Sequence, residues 1–409
     1  MRFPDMATNT DIPQGYKATA LGIIPQEWEA MRLSDVCTLI NGRAYKQNEL
    51  LSKGKYKILR VGNFFTNDSW YFSDMELDPN KYAYKGDLLY AWSASFGPRF
   101  WTGDKVIYHY HIWKICNLKG INQQYLYFFL DYDASLLQRD TQGGTMHHIT
   151  KENMEKRFIP VPPLAEQRKI AEVLGVWDEA IEKQARLIEK LALRKRALMQ
   201  RLLSAKLRLP GFSEPWKEHK IADLFSPIND TNDGQEHIPM TISAKSGFIS
   251  QKDKFDRVIA GDSLQRYILL KKGDFAYNKG NSNLYEMGCI YHLNEESALV
   301  PFVYICFRSK GSVNIDFYSQ FFINHGLDRQ LKKIITSGAR GDGLLNVDKK
   351  DFFALNVPYP TIEEQTAIAE VLTAADHEIE LAKEKLERLR RQKRGLMQQL
   401  LTGKKRVKY

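Results

Sequence analysis

The feature that most constrains this chain is a long segment that occurs twice. PPLAEQRKIAEVL at 162–174 returns as PTIEEQTAIAEVL at 360–372. When 160–203 is placed over 358–401 without a gap, 21 of 44 positions are identical. Unrelated segments do not agree this closely, so the chain carries an internal repeat. Its layout is block, repeat, block, repeat.

Apolar residues recur in each copy with the 4-3-4-3 spacing of a helix that packs along another helix. In the first copy this heptad pattern comprises Ile170, Leu174, Trp177, Ile181, Ile188, Leu191, Leu198 and Leu202. In the second copy it comprises Ile368, Leu372, Ile379, Leu386, Leu389, Leu396 and Leu400. One lysine interrupts each copy at the same place, Lys195 and Lys393. We expect the coil to fray at these lysines, with a contact to DNA or to a partner as the alternative.

Each copy is predicted to form one uninterrupted helix, because prolines stand only at its entrance or, as with Pro210, beyond its exit. A helix of about 39 residues is roughly 58 Å long, which exceeds an ordinary core helix. Acidic residues come early and basic residues late in both copies. Antiparallel packing would therefore place opposite charges together. The same gradient suits the dipole of each separate helix, so that explanation stays open.

The blocks between the helices share landmarks that indicate a tandem duplication. IPQEWEAMRLSDV aligns with FSEPWKEHKIADL, and YKGDLLY with KKGDFAY; the first alignment pairs Trp28 with Trp216 and Asp35 with Asp223. Both blocks contain short runs of Val, Ile, Tyr and Phe typical of strands. The predicted fold class is α+β, with two α/β domains at 1–160 and 209–358. The long helices, at 161–208 and at 359–409 with a basic tail, are predicted to form an antiparallel intramolecular coiled coil.

Composition narrows the setting in which the chain works. The net charge is +10, and Lys plus Arg exceed Asp plus Glu by 11 to 6 in 161–208 and by 11 to 8 in 359–409. The excess thus lies mostly on the repeats, and charge alone is weak support for DNA binding. The four cysteines are far apart, which fits a reduced compartment and argues against zinc. No signal-peptide pattern or long apolar run occurs, so we expect a cytoplasmic protein without a membrane partner.

The sequence predicts no catalytic residues, no metal site and no cofactor. It contains no GxxxxGK[ST] loop, no GxGxxG after a strand and no Asn-Pro-Pro-aromatic stretch of the kind amino-methylating enzymes use. Glu218-His219-Lys220 resembles part of a nuclease motif but lacks a preceding Pro-Asp. His109 and His111 share one face of a predicted strand. Without further ligands we interpret them as solvated or hydrogen-bonding groups.

Candidate DNA contacts are therefore polar and aromatic loops, in which Arg and Lys suit guanine, Asn suits adenine, and hydroxyls suit phosphates. In the first block they are Arg43, Tyr45, Lys46, Trp92, Ser93, Ser95, Arg99, Thr145, His147 and His148. In the second block they are Lys245, Ser246, Lys279, Asn281, Ser282, Arg340 and Asp342. The alternative is that these are ordinary surface turns, since Gly, Asn and Ser favour turns. The aromatic runs NFFTNDSWYF and YHYHIW are assigned mostly to core packing.

The residues around both repeats resemble a known family. GGTMHHITKENMEKRFIPVPPLAEQRKIAEVL, followed by a helix that ends in RKRALMQRLL, is similar to the conserved region of type I restriction-modification specificity subunits. SGARGDGLLNVDKKDFFALNVPYPTIEEQTAIAEVL is similar to the distal copy in that family. The two copies come in the family's order, and the match extends over the whole chain. SGARGDGLLNV departs from the GGTMHHIT form of the first copy.

The resemblance implies a non-catalytic subunit with two target-recognition domains, each binding one half of a split double-stranded DNA site. It also implies that the two helices set the half-site spacing and dock two methyltransferase subunits, which use S-adenosylmethionine. Translocating restriction subunits would join through the complex. A coiled-coil scaffold that does not bind DNA stays the alternative function, and a nuclease acting through Glu218 and Lys220 is a third. Salt-dependent binding of a split DNA site would favour the first.

Overall fold

The computed structural model describes residues 12–65, 67–93, 95–140, 149–255, 261–336 and 344–408. The chain divides into two compact units. Unit 1 comprises Met1–Ala185 with Glu384–Tyr409, and unit 2 comprises Arg186–Lys383. Each unit therefore contains one of the blocks together with part of both repeated helices.

Unit 1 contains twelve described strands, four short or medium helices and the start of the first long helix. The strands are β1 Tyr16–Thr19, β2 Gly22–Pro25, β3 Glu29–Arg32, β4 Thr38–Asn41, β5 Tyr56–Leu59, β6 Tyr71–Ser73, β7 Tyr82–Ala83, β8 Leu88–Ser93, β9 Ser95–Phe100, β10 Val106–Tyr108, β11 Ile112–Cys116 and β12 Phe158–Val161. The helices are α1 Leu33–Val36, α2 Val61–Phe65, α3 Gln123–Asp140, α4 Lys151–Glu155 and the long α5 Leu164–Leu202.

Unit 2 repeats this order with ten described strands. The strands are β13 Lys217–Lys220, β14 Phe225–Pro227, β15 Ile238–Ser243, β16 Gly247–Ser250, β17 Ile268–Lys271, β18 Phe275–Asn278, β19 Cys289–His292, β20 Ser297–Val300, β21 Ile305–Ser309 and β22 Asn356–Tyr359. The helices are α6 Ile221–Leu224, α7 Gln251–Phe255, α8 Ile315–Ile323, α9 Asp328–Ile334, α10 Lys349–Phe353 and the long α11 Ile362–Leu401.

Sheet topology confirms the tandem duplication. Unit 1 has sheets ordered β6-β5-β10-β7 and β4-β11-β8-β9, and unit 2 has sheets ordered β16-β15-β20-β17 and β14-β21-β18-β19. Among the described strands, β5 pairs with β10 and β15 with β20 in parallel, and the neighbours of these pairs in the same sheet are antiparallel. A separate two-stranded sheet, β12-β3 or β13-β22, leads into the long helix. Two blocks with little sequence similarity therefore share one topology.

The KGD landmark has the same role in both units. Asp87 accepts hydrogen bonds from the backbone N of Tyr84 at 2.8 Å and from Lys114 Nζ at 2.5 Å. Asp274 accepts from the backbone N of Lys271 at 2.7 Å and from both prongs of Arg308. The glycine before each aspartate has a φ of +94° or +85°, a conformation that favours glycine. The motif thus forms a tight turn whose aspartate pairs with a basic side chain, Lys114 or Arg308, on the neighbouring strand.

Aromatic side chains fill the core of each unit. Unit 1 buries Trp28, Tyr90 and Trp113, and the last two rings stack with centroids 5.9 Å apart. Unit 2 buries Phe275 and Phe307, which stack at 5.3 Å. Large rings bury more apolar area per residue than aliphatic side chains, which favours a compact core between two small sheets.

The long helices extend over 39 and 40 residues, as the heptad pattern predicts. The first helix begins directly after Pro163, and the second begins at Ile362, with one residue between it and Pro360. The intervening Thr361 accepts a hydrogen bond at its Oγ1 from the backbone N of Glu364 at 3.3 Å. Among the described residues, no helix combines enough length and apolarity to cross a bilayer.

Within each unit the two long helices run antiparallel. In unit 1, Lys393 Nζ donates to Asp178 Oδ1 at 2.6 Å, so the end of α11 lies beside the start of α5. In unit 2, Lys195 Nζ donates to Asp376 Oδ1 at 2.6 Å. The direction follows the charge gradient, because late basic residues meet early acidic ones. The expectation that the coil frays at these lysines is wrong: both sit within continuous helix and pair with aspartate.

Most of the predicted heptad positions are buried. Fully buried positions are Ile170, Leu174, Leu191, Leu202, Ile368, Leu372, Ile379, Leu386 and Leu400. Half-buried positions are Trp177, Ile181, Ile188, Leu198, Leu389 and Leu396. In unit 2, the heptad positions Leu191 and Ile379 form one apolar cluster together with Ala382, as expected for two helices that pack along each other.

Candidate DNA interface

In unit 1, the end of β4 lies against the turn that joins β10 to β11. The backbone N of Arg43 donates to Tyr108 O at 3.0 Å, and the backbone N of Tyr110 donates to Arg43 O at 3.0 Å. A Cβ on Gly42 would stand 2.2 Å from Tyr108 O, so only glycine fits this approach. The predicted loop that contains Arg43, Tyr45 and Lys46 is thereby fixed to the turn at 109–111.

Arg43 is held by a neighbouring carboxylate. Its Nη1 and Nη2 donate to the two oxygens of Glu49 at 2.9 and 2.7 Å, and its guanidinium lies 5.2 Å from the centre of the Tyr45 ring. This pairing lowers the pKa of Glu49 to about 2 and raises that of Arg43. Lys46 is exposed, and its backbone N donates to Glu49 at 2.8 Å. Arg43 is therefore oriented by Glu49, which occupies one edge of its guanidinium.

Tyr45 faces the protein more than the solvent. It packs beside the buried cluster formed by Tyr56, Ile58, Tyr82 and Ile107, and its hydroxyl is buried without a hydrogen-bond partner among the described residues. Burial raises the pKa of this hydroxyl. Within the loop, the Tyr45 ring stabilises the Arg43 guanidinium by a cation–π contact.

Trp92, at the end of β8, joins a cluster of rings on the same turn. Its Nε1 donates to Tyr110 O at 2.9 Å, and its ring lies 4.9 Å from that of His111. The placement of His109 and His111 on one strand face is wrong, because both lie in the turn between β10 and β11. Their rings are 4.8 Å apart, and Tyr110 is exposed between them. The run YHYHIW therefore contributes only in part to the core: Ile112 and Trp113 are buried, whereas Tyr110 is exposed.

His109 is a neutral imidazole near pH 7. Burial lowers its pKa to about 4, with smaller contributions from the charges of His111 and Arg60. A neutral ring can both donate and accept a hydrogen bond, as a base edge requires. Among the described residues, no group of three His, Cys, Asp or Glu side chains is placed to hold a metal ion.

The other candidates of unit 1 are dispersed. Ser93 is buried, and Arg99 is exposed with its guanidinium 5.3 Å from the Phe65 ring. The backbone of Ser95 belongs to β9, but its side chain lies outside the described residues. Thr145, His147 and His148 also lie outside them.

In unit 2, Lys245 and Ser246 are exposed at the tip of the β15–β16 hairpin. Gly247 closes this tip with a φ of +70°, and a Cβ there would meet the Tyr291 ring at 3.1 Å. The Tyr291 hydroxyl donates to Ala244 O at 2.8 Å, which fixes the hairpin to the second sheet. The tip therefore presents an ammonium and a hydroxyl group on a rigid turn.

A polar groove of about 500 Å³ lies at the end of β18. Lys279 forms one wall, and the backbone N of Leu345 donates to Lys279 O at 2.8 Å. Asn346 Nδ2 donates to Thr336 Oγ1 at 2.8 Å across the base of the segment 337–343. The remaining lining includes Lys349 and two carboxylates, Asp348 and Asp351, so basic, acidic, amide and hydroxyl groups all line this groove. Ammonium, amide and hydroxyl groups are the ones that contact phosphates and base edges.

The remaining unit 2 candidates either follow β18 in the sequence or lie outside the described residues. Asn281 is exposed after β18, and Ser282 Oγ accepts from the backbone N of Tyr285 at 3.1 Å in a local turn. Arg340 and Asp342 fall outside the described residues. Glu218 lies in β13, paired with β22, where the repeat places an ordinary strand.

The start of each long helix is fixed by a buried glutamate that sequence reasoning did not single out. In unit 1, Glu166 accepts from Trp28 Nε1 at 2.9 Å and from Arg406 Nε and Nη2 at 2.6 and 2.8 Å. In unit 2, Glu364 accepts from Trp216 Nε1 at 2.9 Å and from Arg208 at 2.7 and 2.9 Å. The shared Trp and Glu-Gln landmarks were the available signal. We call each set of Trp, Glu and Arg a helix-start junction.

The glutamine after each of these glutamates attaches the next helix. Gln167 Oε1 accepts from the backbone N of Asn122 at 2.7 Å, just before α3, and Gln365 Oε1 accepts from Asn314 N at 2.9 Å, just before α8. Gln167 Nε2 donates to Pro162 O and Gln365 Nε2 donates to Pro360 O. The repeated Glu-Gln dipeptide therefore joins each sheet domain to its long helix.

Comparisons with known proteins agree with these features. The profile of the type I restriction modification DNA specificity domain matches residues 25–193 and 253–391. The putative type I restriction enzyme MjaX specificity subunit of Methanocaldococcus jannaschii is 26% identical over 97% of each chain. The MjaVIII specificity subunit of the same organism is 25% identical over 94% of each chain. The EcoKI specificity subunit of Escherichia coli K12 is 22% identical over 85% of this chain and 82% of its own.

Solved structures share the fold. The S subunit of the type I restriction-modification system from M. genitalium superposes with a TM-score of 0.52 at 16% identity, covering 91% of this chain and 96% of that one. A chain from a structure concerned with complex assembly and conformational transition of a type I system gives a TM-score of 0.58 at 16% identity, covering 93% and 99%. At this identity the likeness concerns the arrangement of elements.

Proposed function

This chain belongs to the family of type I restriction modification DNA specificity domains, and from that premise we propose that it is the specificity subunit of a type I restriction-modification complex. Each unit binds one half of a bipartite double-stranded DNA site. The chain itself recognises DNA, and the chemistry belongs to other subunits.

The observation that carries this proposal is that the two units have the same order of strands in their main sheets but different surface loops. Both units use the same sheet orders and the same helix-start junction. Their candidate surfaces differ, since unit 1 offers Arg43, Trp92 and the turn at 109–111, whereas unit 2 offers Lys245 and the groove beside Lys279. Duplicated scaffolds with unlike surfaces suit two unlike half-sites better than one palindrome.

The long helices act as the spacer and as the docking surface in this proposal. Antiparallel ion pairs in each unit, Lys393–Asp178 and Lys195–Asp376, support a fixed register between the helices. A rigid helix pair gives a constant length, so it sets the number of base pairs between the half-sites. The partners are two adenine methyltransferase subunits, joined by restriction and translocation subunits.

The test maps methylated adenines in cells that produce this chain together with the methyltransferase subunit of its own genome. The proposal predicts one split motif with two unlike halves, and no modification in cells that lack this chain. Replacing 209–358 with the corresponding block of another family member should change one half only. A contiguous motif, or modification that does not depend on this chain, would contradict the proposal.

A further inference from the structure

Each helix-start junction joins three separate parts of its unit. In unit 1, Trp28 belongs to the sheet domain, Glu166 to the first turn of α5, and Arg406 to the tail after α11. In unit 2, Trp216 precedes β13, Glu364 lies in the first turn of α11, and Arg208 follows α5. One carboxylate therefore fixes the sheet domain to both long helices at once.

The geometry of the junction leaves little rotational freedom. Glu166 and Glu364 are 0% and 1% exposed, and each receives three hydrogen bonds from two side chains. An arginine that binds both oxygens of a carboxylate fixes the plane of that carboxylate, and the indole N–H fixes it from a second direction. A buried charge that is satisfied only in one arrangement disfavours every other arrangement.

The tail that supplies the arginine is itself fixed. In unit 1, Gly403 has a φ of +72°, and a Cβ there would stand 2.4 Å from Pro25 Cδ and 3.2 Å from the Trp28 ring. The Tyr16 hydroxyl donates to Gly403 O at 3.1 Å. In unit 2, Ala205 occupies the matching turn with a φ of +56°. The turn after each long helix thus aims Arg406 and Arg208 at their glutamates.

We propose that Glu166 and Glu364 are positioning residues for bipartite DNA recognition, which fix the angle at which each unit presents its DNA-binding surface to its half-site. This inference rests on the proposed function. A half-site is bound with full affinity only when its recognition surface meets the groove in the correct rotation, and one base pair of spacing rotates a half-site by about a tenth of a turn. The junctions therefore control how strictly the complex discriminates the spacing, while the loops determine the bases.

The experiment uses the chain assembled with its methyltransferase partner and duplexes that carry its mapped target. One series changes the spacing by one base pair in either direction, and a second scrambles one half-site at a time. Glu364→Gln keeps the size of the side chain but removes the charge and one acceptor. Arg208→Lys keeps the charge but cannot bind both oxygens, so it tests the geometry separately. The matched control is Glu363→Gln, because Glu363 is the exposed neighbour on the same helix.

For Glu364→Gln and Arg208→Lys we expect the ratio of Kd between shifted and native spacing to fall about tenfold, the factor that corresponds to one hydrogen bond to a charged group. The loss of affinity on scrambling either half-site should stay unchanged, and Glu363→Gln should behave as the unaltered chain. Glu166→Gln should give the same relaxation through unit 1.

The inference is overturned if Glu364→Gln keeps the original spacing ratio. It is equally overturned if Kd rises by one common factor on every duplex while the melting temperature falls, since that describes a purely structural role. A failure of the proposed function looks different: the unaltered complex would then not distinguish native from shifted spacing at all.

Discussion

The ion pair between Lys195 and Asp376 provides the sharpest stability prediction. The Lys195 side chain is 15% exposed, and its Nζ lies 2.6 Å from Asp376 Oδ1. The other carboxylate oxygen of Asp376, Oδ2, accepts a hydrogen bond from Gln320 Nε2 at 2.9 Å. Asp376→Asn keeps the shape and an acceptor for Gln320 but leaves a half-buried ammonium without its carboxylate. A hydrogen bond to a charged group contributes roughly 1.5 to 3 kcal/mol. Because Asp376 is 46% exposed, water replaces part of it, and we expect a loss of about 1 to 2 kcal/mol.

The measurement is amide hydrogen exchange, which reports the free energy of local opening along α5 and α11. The matched control on the same helix is Glu380→Gln, which breaks the Lys383–Glu380 pair, where both side chains are more than half exposed. We expect that control to cost about 0.3 kcal/mol. Adding Lys195→Met to Asp376→Asn should recover part of the loss, because the unpaired charge is then gone. If Asp376→Asn costs no more than Glu380→Gln, the lysine is not a buried element of the helix pair and the reasoning fails.

Three further predictions concern single sites. Gly42→Ala places a methyl group 2.2 Å from Tyr108 O and should cost unit 1 about 3 kcal/mol in a denaturant titration. The control is Gly62→Ala, which is exposed within α2 and has its nearest neighbour at 3.5 Å; it should leave unit 1 unchanged or up to about 1 kcal/mol more stable, because alanine is the better helix former. Ala205→Gly removes the strain of a φ of +56° and should raise the stability of unit 2 by about 0.5 to 1 kcal/mol, read from hydrogen exchange. The folded-state pKa of His109, about 4, lies below its ordinary value of 6.5, so the unfolded chain takes up a proton first as the pH falls. The contribution of His109 to the stability of the fold should be complete above pH 6.5 and should be lost progressively between pH 6.5 and 4. Urea midpoints measured at pH 7 and pH 5 should therefore differ less in His109→Gln than in the unaltered chain.

Features with a strong local signal could be predicted from the sequence. The two long helices could be predicted as uninterrupted elements of about 39 residues, because heptad spacing and entrance prolines agree. The alignment of Trp28 with Trp216 identified residues with equal roles, since both indoles donate to the glutamate at a helix start. Antiparallel direction followed from the charge gradient.

Features that depend on partners distant in sequence could not be predicted. Lys195 and Lys393 interrupt an apolar pattern, and only the facing helix supplies the aspartates that satisfy them. The YHYH alternation matches a strand, but hydrogen bonds to Arg43 and Leu59 hold His109 and Tyr110 outside the strands. Glu166 meets Arg406 across 240 positions, a separation over which no local pattern operates.

The most direct test of the account lengthens the helix pair. Seven residues are inserted into α5 within 185–195 and seven into α11 within 376–386, so that the heptad register is kept. The pair then grows by about 10.5 Å at 1.5 Å per residue, which corresponds to about three base pairs at 3.4 Å each. Mapping of methylated adenines should show both original half-sites separated by about three additional base pairs. Unchanged spacing, or altered bases in either half-site, would contradict the account.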